Sequence, residues 1–345
     1  MGIQHAIARA TAANDLTGEE MDAAMRAIME GEATPAQIAG LLVALRMKGE
    51  TAVEVAAAAR VMREFAVRVD VEHEHLVDIV GTGGDGCRTF NVSTAAAFVV
   101  AAAGGRVAKH NNRAVSSRCG SADLLEAAGV RIDLSPAEIA ACVEKVGVGF
   151  MFAPQHHGAT RHAAGPRREL AVRTIFNLLG PLTNPAGVRN LLIGVYHRDR
   201  TRLVAEVMKL LGGRHVLVVH SEDGLDEISI AAPTYVAELK GGEVREYVLE
   251  PEDVGLRRSP LDGIRVQTRE ESLRLVRSAL AGEPGAALDI VLLNAGAAIH
   301  AAGLEPDLRS GIERARAAVT SGGAARKLEE LVALTRSFAR EGNPA

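Results

Sequence analysis

The chain has 345 residues, 48% of them hydrophobic, and carries 39 basic against 43 acidic residues, for a net charge of −4. This length allows a large core and two domains, and the acidic balance excludes a general attraction to nucleic acid or anionic membranes. The three cysteines, Cys87, Cys119 and Cys142, form no CxxC pair, which argues against a disulfide scaffold or a thiolate zinc site and indicates a reducing compartment.

No export or membrane segment is predicted. The N-terminal stretch MGIQHAIARATAAND has no apolar signal core. The longest apolar run, AAAFVVAAAGG, is too short to span a bilayer, which needs about 18 residues or more. We therefore expect a cytoplasmic protein with neither a membrane nor a nucleic-acid partner.

The first seventy residues predict a small helical domain, which we place at residues 1–72. Capping boxes of the form T-x-x-E/Q begin at Thr17, Thr34 and Thr51, each at the start of a helical pattern. Pro35 suits the first position of the middle helix, and Gly49 follows its basic end. Nothing in this domain suggests chemistry, so its expected role is packing or oligomerisation.

The remaining chain, residues 73–345, predicts a larger α/β domain with a mostly parallel central sheet. Short apolar runs alternate with helical stretches, as expected of parallel strands joined by helices. The runs read as buried strands are residues 76–80, 106–109, 190–196, 215–220 and 289–294. Part of the helix-like segment 165–186 is expected to return to the helical domain, which would make that domain discontinuous.

The sequence GTGGDG at residues 81–86 matches the G-x-G-x-x-G pattern of dinucleotide-binding loops. The next strand, however, ends in Lys109, where such folds place an acidic residue for the ribose. The G-K-S/T of a P-loop is also missing. Glycines followed by the helix start at residues 91–94 instead predict a backbone cradle for a phosphate.

Two further clusters follow predicted strands. Residues 109–123 combine basic side chains, asparagines and serines with the start of another helix, which suits a second anion site. Asp226 and Glu227 follow the strand at 215–220 and offer the carboxylate oxygens that Mg²⁺ takes together with substrate phosphates. A metal with a diphosphate is therefore the favoured ligand.

Taken together, these motifs resemble the anthranilate phosphoribosyltransferase family along essentially the whole chain. The matching segments, in order, are DIVGTGGDG (78–86), TFNVSTA (89–95), KHNNRAVSSRCGSADLLEAAGV (109–130), RRELAVRTIFNLLGPLTNPA (167–186) and GLDEIS (224–229). The resemblance implies transfer of a phosphoribosyl group from phosphoribosyl pyrophosphate to anthranilate in tryptophan biosynthesis. It also implies a homodimer formed through the helical domain and an active site at the hinge between the domains.

The resemblance further implies the residues of the site. Those expected to hold phosphoribosyl pyrophosphate are Gly81, Gly84, Asp85, Thr89, Asn91, Val92, Ser93, Thr94, Lys109, His110, Asn111, Asn112, Arg113, Ala114, Val115, Ser116, Ser117 and Ser121. Gly81, Asn112 and Arg167 are expected to contact anthranilate, and Ser93, Asp226 and Glu227 to hold two magnesium ions. No general base is assigned, and His110 is the candidate contact. The family usually has glycine at the position of Asn111, and asparagine tolerates a left-handed turn better than most residues.

Three alternatives are weighed against this interpretation. A pyrimidine nucleoside phosphorylase would need loop motifs that this chain lacks. A non-catalytic nucleic-acid-binding relative of the same fold should be basic and without the acidic pair. A transition-metal site at His156, His157 and His162, or at residues 73–75, lacks the HExxH frame. We interpret His157 and Arg161 instead as part of a basic rim near the aromatic acid.

Overall fold

The computed structural model describes residues 2–84, 86–113 and 119–338. Its helices are α1 (Ile3–Thr11), α2 (Gly18–Met29), α3 (Pro35–Lys48), α4 (Ala52–Glu64), α5 (Val92–Ala102), α6 (Ser121–Ala128), α7 (Pro136–Lys145), α8 (Ala153–His156), α9 (Arg161–Leu170), α10 (Phe176–Leu182), α11 (Arg200–Leu210), α12 (Arg269–Leu280), α13 (Ala286–Ala301), α14 (Leu308–Thr320) and α15 (Gly323–Ser337). Its strands are β1 (Leu76–Gly81), β2 (Arg106–Asn111), β3 (Val148–Phe152), β4 (Asn190–Gly194), β5 (His215–Ser221), β6 (Thr234–Lys240) and β7 (Glu243–Leu249).

The strands form one mixed sheet in the order β3-β2-β1-β4-β5-β6-β7. Strands β1 to β5 pair in parallel, whereas β6 and β7 add an antiparallel edge. The predicted architecture, a small helical domain followed by a larger α/β domain with a mostly parallel sheet, is confirmed. Because parallel strands end at one edge, Gly81, Asn111 and Gly194 all lie at the same side of the sheet.

The three predicted capping boxes are present in the helical domain. Thr17, Thr34 and Thr51 each accept a hydrogen bond from the backbone of the residue three positions on, and the reciprocal bond is also made. Helix α9 packs against α2 and α3, and α10 packs against α4. The segment 161–182 therefore contributes two helices to the layer that α1–α4 form.

The prediction of a strand at residues 289–294 is wrong, because this run lies inside helix α13. The helix is buried around its whole circumference at the centre of the α/β domain, against α5 and α14. A helix that is apolar on all sides has no helical period in its sequence, so a six-residue window looks like a buried strand. Within the described residues, no helix is long and apolar enough to cross a membrane.

Candidate active site

A cavity of about 1070 Å³ lies where β1, β2 and β4 end, facing helices α9 and α10. Its wall contains most of the predicted residues: Gly81, Gly84, Thr89, Asn91, Ser93, His110, Asn111, Asn112, Arg113, Ser121, Arg167, Asp226 and Glu227. Three predicted residues, Val92, Thr94 and Lys109, are instead buried behind the wall. Asp85 and residues 114–117 lie outside the described part of the chain.

The glycine loop and the acidic turn pack directly on each other. The backbone N–H of Gly83 donates to Oδ2 of Asp226 at 2.8 Å. A Cβ on Gly81 would collide with the Asp226 carboxylate, and a Cβ on Gly194 would collide with the Asp226 backbone. The acidic turn therefore lies against β1 and β4 only because both strands end in glycine. The sequence does not predict Gly194 as a site residue, since a lone glycine after an apolar run is not typical of a ligand-binding motif.

The N-terminus of α5 opens toward the cavity without a side-chain cap. Asn91 is the N-cap residue but makes no capping hydrogen bond. Its Oδ1 accepts from Ser272 Oγ at 2.7 Å, and its Nδ2 donates to the carbonyl of Cys119 at 3.2 Å. The first N–H of the helix, that of Val92, donates to the preceding carbonyl of Phe90 at 2.7 Å, whereas the next two have no partners within the helix and remain available to an anion.

Lys109 lies behind the wall of the cavity. Its ammonium is fully buried and donates to the Ile79 carbonyl and, at 3.2 Å, to Ser93 Oγ. Burial lowers the pKa of Lys109 to about 8, opposed by the carboxylates of Asp78 and Glu227. Burial raises the pKa of Asp78, opposed first by Lys109. Lys109 therefore orients the Ser93 hydroxyl and adds positive charge beneath the phosphate cradle, without direct access to a ligand in this conformation.

Two buried histidines in the wall of the cavity contact each other. The ring centroids of His110 and His157 are 4.9 Å apart, and both side chains are less than 10% exposed. Burial lowers the pKa of His157 to about 4 and that of His110 well below its usual range. Both rings are therefore neutral near pH 7. The interpretation of His157 as part of a basic rim is wrong, because a buried neutral imidazole carries no charge.

Arginines form the side of the cavity that the α9–α10 segment contributes. Arg167 is half-buried, its guanidinium lies 5.0 Å from the ring centre of Phe176, and burial lowers its pKa. Arg173, which was not singled out in the sequence, donates to the Gly84 carbonyl and stacks 4.1 Å from the ring centre of Tyr196. Its position inside the helix-like segment 165–186 gave no indication of a contact to the glycine loop.

Asn111 does not occupy a left-handed turn. It is the last residue of β2 and pairs with Phe152 of β3, so its backbone is extended. Its Oδ1 accepts from the N–H of Asn112 at 2.8 Å, and Asn112 repeats this with the N–H of Arg113 at 2.7 Å. The conformational argument for tolerating asparagine here is therefore unnecessary, since the strand accepts any side chain.

Arg113 turns away from the ligand space toward α6. Its guanidinium forms ion pairs with Asp123, at 3.2 Å, and with Glu126. It also lies 5.4 Å from the ring centre of Phe152. In this conformation its charge is matched within the protein, so any contact with a substrate phosphate requires the side chain to leave these carboxylates.

The fold and the cavity define a class, a glycosyl transferase with two domains. Residues 73–325 match the family model described as "Glycosyl transferase family, a/b domain". Residues 4–66 match the model described as "Glycosyl transferase family, helical bundle domain". The two matches follow the division of the chain at the start of the sheet.

Closer relatives specify the family. The anthranilate phosphoribosyltransferase of Thioalkalivibrio sulfidiphilus is 59% identical over 337 residues, which cover 98% of this chain and 100% of the relative. The crystal structure of the Thermus thermophilus enzyme of that name superposes with a TM-score of 0.91 at 47% identity, over 96% of this chain and 99% of that one. The Saccharomyces cerevisiae enzyme, in complex with phosphoribosyl pyrophosphate and Mg, gives 0.88 at 26% identity over 97% and 98%. The chain belongs to the anthranilate phosphoribosyltransferase family.

Proposed function

We propose that the protein transfers the phosphoribosyl group of phosphoribosyl pyrophosphate to the amine of anthranilate. The products are N-(5-phosphoribosyl)anthranilate and pyrophosphate, as in tryptophan biosynthesis. One observation supports this assignment above the others. A single cavity joins a glycine loop, an uncapped helix N-terminus and an acidic pair to an arginine on an apolar support. A sugar diphosphate fits the glycine loop, the helix N-terminus and the acidic pair, and an aromatic carboxylate fits the arginine.

The diphosphate end has donors suited to magnesium. Ser93 and the pair Asp226 and Glu227 line the same cavity and offer hard oxygen ligands, and we propose that they hold two ions per subunit. When bound, Mg²⁺ neutralises charge that builds on the departing pyrophosphate. The backbone N–H groups of Ser93 and Thr94 at the start of α5 stabilise the same charge, because they are fixed in place before the reaction begins.

The anthranilate end is formed by the α9–α10 segment and the end of β2. We propose that Arg167 pairs with the anthranilate carboxylate, since its planar guanidinium is held against Phe176 and matches a carboxylate with two parallel hydrogen bonds. Asn112 lines the same cavity and provides a further polar contact. Together these contacts direct the amine of anthranilate toward the ribose.

The reaction breaks the bond from C1 of the ribose to the pyrophosphate oxygen, forms a bond from C1 to the anthranilate nitrogen, and releases one proton from that nitrogen to water. That nitrogen is an uncharged aromatic amine near pH 7, so positioning beside C1 supplies much of the catalysis. His110 has a buried Nε2 with no hydrogen-bond partner among the described residues. Because burial lowers its pKa, we assign it a contact role and not that of a general base.

The test is a fluorescence assay of anthranilate consumption with phosphoribosyl pyrophosphate and Mg²⁺. The wild-type protein should deplete anthranilate, and the Asp226→Asn/Glu227→Gln variant should lose nearly all turnover. A matched control is Glu329→Gln/Glu330→Gln, an adjacent acidic pair on the exposed face of α15, which should keep full activity. Equal turnover by wild type and the Asp226/Glu227 variant would overturn the assignment.

We also propose that the protein is a homodimer through its helical domain. Three apolar side chains of that domain are strongly exposed in the single chain, Met47 (82%), Val67 (49%) and Val53 (46%). Light scattering after gel filtration should give twice the chain mass, and Met47→Glu/Val53→Glu should reduce it to one. Leu210→Glu, which alters an apolar side chain 51% exposed on the α/β domain, is the control. A cytoplasmic location stays a prediction from the sequence, whose three cysteines have no CxxC spacing.

A further inference from the structure

A second cluster of ionisable side chains lies far from the cavity described above. His215 begins β5, Glu238 lies in β6, and His300 is near the end of α13. His215 Nε2 is 2.7 Å from Glu238 Oε1, and His300 Nε2 is 3.7 Å from the same oxygen. The acidic turn with Asp226 follows the other end of β5, roughly 20 Å away for a seven-residue strand.

The strand register brings these side chains to one face. His215 pairs with Lys240 and Leu217 pairs with Glu238 in the antiparallel ladder. Because side chains two residues apart in a strand share a face, His215 and Glu238 project to the same side of the sheet. Helix α13 packs on β5 and adds His300 from above, with the two imidazole rings 4.6 Å apart and perpendicular.

Hydrogen bonds fix the tautomer of His300. Its Nδ1 lies 2.9 Å from the backbone carbonyl of Glu305, which can only accept, so Nδ1 carries the hydrogen. On the other side, the Lys240 ammonium, which can only donate, is 3.4 Å from Nε2. The Lys240 contact calls for a lone pair on Nε2, and this nitrogen also lies 3.7 Å from the Glu238 carboxylate. In this conformation the Lys240 ammonium is the cation beside Nε2, in a position that a metal ion could take over.

We propose that His215, Glu238 and His300 form a binding site for a zinc-type divalent ion. Their ligand atoms all lie within 4.8 Å of one another. A tetrahedral ion bound at 2.0–2.1 Å separates its ligand atoms by about 3.3 Å, a value that lies between the two measured distances of 2.7 and 3.7 Å. Two imidazoles with one carboxylate favour zinc over magnesium, which prefers oxygen ligands alone.

The surroundings provide access and a supporting contact. A surface cavity of about 780 Å³ reaches both His215 and His300, which leaves room for water as a fourth ligand. Lys240 lines this cavity and is exposed, so its ammonium can move into solvent when an ion enters. The Tyr247 hydroxyl donates to Glu238 Oε2 at 3.1 Å and so holds the carboxylate with its other oxygen toward the histidines.

Zinc binding is measured on tag-free, full-length protein carrying Asp226→Asn and Glu227→Gln, so that the acidic pair of the cavity cannot contribute. The protein is equilibrated with Zn²⁺, freed of unbound ion by gel filtration and assayed for metal by mass spectrometry. One equivalent of zinc should be retained. His300→Gln and Glu238→Gln should each abolish retention, whereas His5→Gln should not, because His5 pairs with Glu20 at 2.8 Å without a second histidine.

A milder variant distinguishes weaker zinc binding from loss of the folded structure. Tyr247→Phe keeps the ring and removes only the hydrogen bond to Glu238, so zinc affinity should fall roughly tenfold with the fold intact. Lys240→Met, which removes the competing ammonium, should bind zinc more tightly. The proposal is overturned if retained zinc stays far below one equivalent, or if the His300→Gln protein folds normally and retains as much as wild type. It does not depend on the transferase activity.

Discussion

Arg167 carries a charge that is partly withdrawn from water. It is half-buried against Phe176, and burial lowers its pKa, so a carboxylate that reaches it gains a desolvated, charge-assisted partner. In contrast, the Arg113 guanidinium forms ion pairs with Asp123 and Glu126. The two arginines come from equally basic stretches of sequence, and only the structure separates the available guanidinium from the engaged one.

Replacing Arg167 with glutamine should therefore weaken anthranilate binding in particular. Loss of a hydrogen-bonded charge pair costs about 1.5 to 3 kcal/mol, so KM for anthranilate should rise roughly 10- to 100-fold. KM for phosphoribosyl pyrophosphate should change little. Steady-state kinetics with each substrate varied separately measure both constants. Arg202→Gln, on the exposed face of α11, is the matched control, and an equal rise for both substrates would contradict the assigned role.

His157 should make stability depend on pH in a defined window. Its pKa falls from the usual 6.5 to about 4 on folding, chiefly through burial, so the unfolded chain binds the proton more readily. This contribution is fully present above pH 6.5 and is lost as the pH falls toward 4. Between about pH 7.5 and 4.5, the loss amounts to roughly 2 to 3 kcal/mol.

Urea unfolding at several pH values measures this effect. The His157→Gln variant should lose less stability on acidification than wild type, by about that amount. His110 and His156 also have lowered pKa values, so some acid sensitivity will remain in the variant. Exposed His197 gives the control, His197→Gln. Identical slopes for wild type and His157→Gln would show that burial of this ring is not what lowers acid stability.

At the level of elements, the sequence patterns predicted where helices begin better than they predicted whether a buried apolar segment is a helix or a strand. The boxes at Thr17, Thr34 and Thr51 depend on neighbours three residues apart, so the sequence contains the whole interaction. The mistaken strand at residues 289–294 depends on what surrounds it in space. The same limit applies in the site, because the fit of Gly194 under Asp226 joins residues that no local pattern connects.

Gly194→Ala tests that fit between elements. The added Cβ would overlap the backbone of Asp226, so the acidic turn must move away from β4 and from the N–H of Gly83. We expect a loss of stability of about 1 to 3 kcal/mol and a rise in KM for phosphoribosyl pyrophosphate larger than that for anthranilate. Thermal unfolding and kinetics measure the two effects.

Gly165→Ala provides the comparison for this substitution. A Cβ at residue 165, within α9, meets no atom within 4 Å, so alanine there should leave the protein as stable as wild type or slightly more so. If Gly194→Ala behaved in the same way, the packing of the acidic turn on β4 would not be what positions Asp226.

Across the whole molecule, charged side chains connect the helical domain to the α/β domain. Arg46 of α3 donates to the backbone carbonyl of Arg173, the residue that also holds Gly84. Glu50, which follows α3, pairs with Arg200 at the start of α11 at 3.0 Å. The glycine loop is thus linked through Arg173 to helix α3 of the other domain.

Removing Glu50 and removing Arg200 should cost different amounts of unfolding free energy. The Glu50 side chain is 4% exposed and that of Arg200 is 28% exposed, so removal of the arginine leaves the more deeply buried charge unmatched. Arg200→Gln should cost about 2 to 3 kcal/mol of unfolding free energy and Glu50→Gln about 1, with the double variant close to the milder single one. Urea unfolding of the four proteins gives the coupling energy. The exposed pair of Arg245 and Glu243 should couple by less than about 0.5 kcal/mol. Equal costs for the two single variants would mean that desolvation of Glu50 does not govern this contact between the domains.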